Sequence, residues 1–203
     1  VTNAFSQTSG TLNIGGAASI TQVAGDLALG AMTAGSIFAR ATGNLSVGGA
    51  LTASGGGNSI VLSAGGNFIN TAGATALNPG AGGRWLVYSA DPGLVDTRGG
   101  LIYGFKQYNA TYGVTAVAGT SNGFLYSTAP VITPGLTGTV TKFYDGTKTA
   151  ALAGTNYTVS GFIDGDTVTL NNPAAGTYGS QNAGTGINVS ASGLAVANAT
   201  NGA

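Results

Sequence analysis

Leu12 and Ile14, Leu27 and Leu29, and Leu45 and Val47 form apolar–small–apolar phrases, each flanked by Gly, Asn or Asp. The phrases run Gly10-Thr11-Leu12-Asn13-Ile14-Gly15, Gly25-Asp26-Leu27-Ala28-Leu29-Gly30 and Gly43-Asn44-Leu45-Ser46-Val47-Gly48, with variants at Asn58-Ser59-Ile60-Val61-Leu62 and Gly66-Asn67-Phe68-Ile69-Asn70. A period of two predicts short strands. Gly and Asn at their ends supply turns with positive φ. No apolar stripe of helical period is present, and this much glycine opposes a helix. Imperfect repeats of roughly 20 residues built this way predict a solenoid. The fold class expected is all-β, with a parallel β-helix over residues 1–83. Inward Leu, Ile and Val would stack from coil to coil, and small residues would let the coils approach at strand spacing.

The pattern changes at residue 84. Eight of the chain's aromatic residues fall in 84–126: Trp85, Tyr88, Tyr103, Phe105, Tyr108, Tyr112, Phe124 and Tyr126. Arg84-Trp85-Leu86-Val87-Tyr88 predicts a strand, and Asp91-Pro92-Gly93 a turn. A solenoid must cover its open end, so residues 84–130 are expected to form an aromatic cap or connector. The competing reading makes Trp85, Tyr103, Tyr108 and Tyr112 a ligand or self-association surface. Two prolines in residues 127–136 mark the entry to a further module. Over 131–203 the runs Thr139–Phe143, Tyr157–Phe162, Thr167–Leu170 and Ile187–Ser190 alternate, with turns at Asp145-Gly146, Asp164-Gly165 and Asn171-Asn172-Pro173. They predict a small antiparallel, β-sandwich-like module.

Composition narrows the chemistry. The 203 residues include 37 Gly, no Cys and no His, and only 6% are charged, with net charge zero. Without His or Cys there is no ordinary zinc site, thiol nucleophile or Ser–His pair. The lack of a basic run argues against nucleic acid. No apolar run is long enough to span a membrane. With 43% hydrophobic residues and no net charge the chain is expected to fold. Its abrupt ends read as those of a fragment or a processed piece.

The stretch Lys142-Phe143-Tyr144-Asp145-Gly146-Thr147, followed by Leu152–Tyr157, Gly165-Asp166-Thr167-Val168 and Ala175-Gly176-Thr177-Tyr178, resembles the YDG module of large bacterial surface proteins. Gly83–Ser89 and Gly104–Tyr112 look like the connector that precedes such modules. The Gly-Asn-Leu and Gly-Asn-Phe coils resemble the stalk of filamentous haemagglutinin-like adhesins exported by two-partner secretion. The resemblance implies a non-catalytic role outside a Gram-negative cell: adhesion, biofilm cohesion or fibre building. It implies no cofactor. The partners it suggests are other copies of the chain, joined head to tail by strand addition, or a host or matrix glycan or protein.

Candidate sites are few. Asp164 and Asp166 flank Gly165, but neighbours in a turn splay into solvent, and calcium needs six to eight oxygens. Tyr144-Asp145-Gly146 reads as a turn in which Asp caps its own backbone, with Tyr144 packed and its hydroxyl at the rim. Asn44, Asn109, Asn156, Asn188 and Asn198 begin Asn-x-Ser/Thr sequons. A polysaccharide-cleaving β-helix would need clustered carboxylates, and before residue 84 the only acid is Asp26.

Overall fold

A computed structural model describes Phe5, Gln7 and residues 9–92, 96–163 and 165–201. Asp164, and Gly93 of the Asp91-Pro92-Gly93 turn, lie outside the described residues. The chain divides into two compact units, Val1–Pro130 and Val131–Gly202. Both are built of strands. Among the described residues the one helical element is a 3-10 turn at Gly154–Asn156.

The first unit is the expected parallel solenoid. Its first coil carries β1 (Thr11–Asn13), β2 (Ala17–Gln22) and β3 (Leu27–Leu29). The second carries β4 (Ala31–Ala34), β5 (Ser36–Ala41) and β6 (Leu45–Val47). The third carries β7 (Leu51–Ala53), β8 (Gly57–Ala64) and β9 (Phe68–Asn70), and a partial fourth begins with β10 (Leu77–Asn78) and β11 (Gly83–Ser89). Corresponding strands stack into three parallel sheets: β1-β4-β7-β10, β2-β5-β8-β11 and β3-β6-β9.

Register turns the sequence phrases into interior columns. Leu12, Met32, Leu51 and Leu77 are successive partners in the first sheet. Ile20, Ala39, Leu62 and Val87 align in the second, and Leu27, Leu45 and Phe68 in the third. All but Leu12 and Ile20 are buried in one continuous core. Each enclosed Leu or Ile contributes about 1.5–3 kcal/mol.

The turns stack as well as the strands. The Asn44 N–H donates to Asp26 Oδ1 at 2.7 Å, and the Asn67 N–H to Asn44 Oδ1 at 2.8 Å. The Phe68 N–H donates to Asp96 Oδ1 at 2.7 Å. Asp26 and Asn44, the Asx residues of two Gly-Asx phrases, therefore each accept from the backbone of the next coil, whereas Asp96 accepts from the coil before it. The preceding glycine is a matter of space: a Cβ on Gly43 would lie 2.2 Å from Asp26 Oδ1 and 2.8 Å from the Gly25 carbonyl carbon.

The boundary expected at residue 83 falls inside a sheet. β11 pairs in parallel with β8, so the aromatic-rich stretch continues the solenoid. A bulge sets its facing, because Arg84 pairs with Asn58 but Trp85 pairs with Ile60, leaving Ser59 as the extra residue. β12 (Phe105–Gln107) and β13 (Gly123–Tyr126) complete the sheet, with β13 lying between β11 and β12.

The second unit is antiparallel. β14 (Thr133–Leu136) pairs with β16 (Tyr157–Ser160). β18 (Ala175–Tyr178) lies between β15 (Thr149–Ala151) and β19 (Val189–Ser190), and β17 (Thr167–Leu170) pairs with β20 (Val196–Thr200). Among its described residues, Ala150 and Tyr178 are the only buried hydrophobic side chains.

Two substitutions test the stacking of the turns. Asn44→Ala leaves the Asn67 N–H without its acceptor and should cost about 1–3 kcal/mol in denaturant unfolding. Gly43→Ala should cost more, because the coils must part to admit the methyl group.

Candidate functional site

The aromatic end is built from the segment that follows β11. Trp85 is 2% exposed. Its ring meets Phe124 edge-on at 5.1 Å, and its backbone N–H donates to Asn122 Oδ1 at 2.9 Å. Tyr103 stands edge-on to Phe124 at 5.3 Å, and Tyr108 stacks on Tyr126 at 6.0 Å. Tyr112 lies between Phe38 at 5.2 Å and Tyr88 at 5.3 Å. Trp85 is thus a core residue rather than a surface residue, and the inward facing set by the bulge is the reason. Tyr103, Tyr108 and Tyr112 are half-buried, and their rings are engaged in packing.

Sequence reasoning missed Asp96 and Arg98 at this end. The Arg98 guanidinium lies 5.1 Å from the Phe124 ring centre, 5.4 Å from Tyr103 and 5.7 Å from Tyr126. It supplies cation–π attraction to an aromatic cluster that covers the coil end. Asp96 accepts from Ser89 Oγ at 2.6 Å as well as from the Phe68 N–H. Burial pushes its carboxyl above the usual value, against the opposing pull of those two hydrogen bonds and of Arg98. No repeat in the sequence marked Asp96, which stands opposite Phe68 rather than in line with Asp26 and Asn44.

A second apolar layer lies on the outer face of this sheet. Leu86, Tyr88, Ala110 and Leu125 are buried there, with Val61, Phe105, Tyr112 and Val117 packed against them. The loop of residues 108–122 covers it and is held by Gln107. Gln107 Nε2 donates to the Ala116 carbonyl and its Oε1 accepts from the Ala118 N–H, both at 2.9 Å.

In the second unit the Tyr144-Asp145-Gly146 turn is tied by its own side chains. Lys142 Nζ donates to Asp145 Oδ1 and to the Thr147 carbonyl, both at 2.7 Å, and to Thr147 Oγ1 at 2.9 Å. Asp145 Oδ1 also accepts from the Thr147 N–H at 2.8 Å. Gly146 takes φ of 73°, as the turn reading requires. Lys142, with the Thr147 bonds, holds the Asp145 carboxyl down at about 2.

Tyr178 ties this turn to β18. Its hydroxyl donates to the Val140 carbonyl at 2.9 Å, its N–H to the Lys148 carbonyl at 2.8 Å, and its ring lies 5.5 Å from Lys142 Nζ. Two of the sequence motifs therefore meet at one tyrosine. Tyr144 does not pack as expected and is 69% exposed, while Phe143 is 97% exposed. The loop's own hydrogen bonds close it without help from these rings. Asp166, expected to point into solvent, is buried beside the turn made by its N–H to the Ile163 carbonyl.

Of the sequon asparagines, Asn44 is used in the turn ladder and Asn156 bonds Ala153 and Thr137. Asn109, Asn188 and Asn198 are exposed. Among the described residues no three acidic side chains gather as a metal site would require. No helix among them is long and apolar enough to cross a membrane.

Two measurements follow. Trp85→Ala should destabilise the first unit by about 3–5 kcal/mol, whereas Tyr144→Ala should change unfolding by less than about 0.5 kcal/mol. Denaturant melts separate the two. Because Asp145 ionises more readily folded than unfolded, the help it gives the loop is full above about pH 4 and fades as pH falls through about 2. The protection of the Thr147 amide from hydrogen exchange, relative to its intrinsic rate at each pH, should fall over that window and at no higher pH.

No curated protein and no solved structure matches the chain. The family model of the YDG domain matches residues 127–203, so the motifs that meet at Tyr178 lie in a stretch similar to that domain, joined in sequence to a parallel β-solenoid.

Proposed function

We propose that the chain is a non-catalytic spacer segment of a secreted bacterial surface adhesin, placed in the stalk of a filamentous haemagglutinin-like protein. The observation that carries this reading is the joining, within one chain, of a parallel solenoid to a stretch similar to the YDG domain. A solenoid converts chain length into rigid length, because each coil adds one strand spacing and contacts only its neighbours. Its turns bond to the next coil, leaving few loops open to proteases. The interior is apolar apart from hydrogen-bonded residues such as Asn70, whose Nδ2 donates to the Gly73 and Arg98 carbonyls at 2.8 and 3.0 Å.

A filament joined head to tail is the second reading, and one observation favours it. Leu12, at the first coil, is 36% exposed, whereas its column partners Met32 and Leu51 are both at 0%. A strand added at that coil would cover Leu12. The opposite end of the solenoid is covered by β12 and the Arg98 cluster, which favours the spacer.

Immunogold labelling with antibodies to residues 9–130 tests the proposal in the bacterium that encodes the chain. Label on the outside of intact cells, with weaker attachment when the segment is deleted, is expected. Label confined to the cytoplasm overturns the reading. Concentration-dependent fibres of the purified chain would transfer support to the filament.

A further inference from the structure

A groove of about 630 Å³ runs through the second unit between residues 136–147 and 178–189. All of its lining belongs to the second unit and includes none of the four aromatic residues that the sequence offered as a surface. The buried Tyr178 lines it, together with Tyr144, Gln181, Asn182, Thr185 and Asn188. Its size lies within the range of about 300–1,000 Å³ typical of small-ligand sites.

We infer that this groove is a binding site for a neutral oligosaccharide. Lys142 is the one ionised side chain in the lining among the described residues. Its ammonium is already paired with Asp145 at 2.7 Å and bonded to Thr147 at 2.7 and 2.9 Å. A phosphate, sulfate or uronate would find no uncommitted counter-charge here. The remaining polar groups are hydroxyls and amides, each of which both donates and accepts, as sugar hydroxyls do. Tyr144 adds a half-free aromatic face. Its loop is fixed by the Lys142–Asp145–Thr147 bonds, so little side-chain or loop entropy is lost when a ligand stacks on the ring.

The site is independent of the spacer reading, because a stalk segment serves that role with or without a ligand. It also gives the exposed ring of the Tyr-Asp-Gly turn a use that folding does not.

The test uses the full chain on a printed array of neutral hexose and N-acetylhexosamine oligosaccharides. Heparin, polygalacturonate and an extended-peptide array serve as competing probes. Binding to neutral glycans, unchanged by added salt, is expected. Tyr144→Ala should weaken it about tenfold, and Gln181→Ala should weaken it as well. Phe143→Ala should leave it unchanged, since that ring is exposed and outside the groove. Thermal melts confirm that each variant is folded, and Gln181→Ala decides the matter if Tyr144→Ala is not. Failure to bind any neutral glycan overturns the site. So does preference for the anionic polymers or the peptides, or equal affinity in folded Tyr144→Ala and Gln181→Ala.

Discussion

Hydrogen bonding between successive coils at strand spacing is the constraint from which the rest of the first unit follows. Parallel neighbours stand about 4.8 Å apart, so every turn must also fit against the turn before it. Only a glycine fits where Gly43 crosses Gly25. Only a short side chain with a carbonyl or carboxylate oxygen can reach the next backbone N–H, as Asp26 and Asn44 do. The scarcity of charge has the same origin. A charge repeated on each coil would meet its own kind at strand spacing, where like charges repel.

A solenoid built on nearest-neighbour contacts has no natural end. Here one end is closed by material that breaks the repeat. β13 inserts between β11 and β12, so the last long strand is paired on both sides. Phe124 and Tyr126 extend the interior, and Arg98 caps them with a charge held over three rings. The loop over Leu86 and Tyr88 adds a layer outside the sheet. The concentration of aromatic residues at this end reflects the larger area that a cap must cover.

The second unit works differently. With Ala150 and Tyr178 as the buried hydrophobic side chains among its described residues, it depends on paired strands and on local ties between turns. Tyr178 binds the Val140 and Lys148 carbonyls, and Asn156 binds the backbone at Ala153 and Thr137. Such a framework leaves its surface chemistry free, and the groove beside Tyr144 draws on that freedom.

The sequence by itself determined the class of fold and the position of the strands built on its Leu-x-Leu phrases, but the run expected at Thr139–Phe143 is not a strand, and β14 forms instead at Thr133–Leu136, in the stretch read as the entry to the module. Period-two phrases such as Leu27-Ala28-Leu29 have one physical reading when glycine and Asx bound them, and that information is local. The turn at Asp145-Gly146 was legible for the same reason, since Asp145 bonds within its own loop. Only the tertiary structure decided what long-range register controls. The bulge at Ser59 determined that Trp85 faces inward with Ile60, and the insertion of β13 beside β11 placed Phe124 under Arg98. Pairings between residues distant in the chain leave no periodic trace, because each is made once and depends on every strand laid down before it.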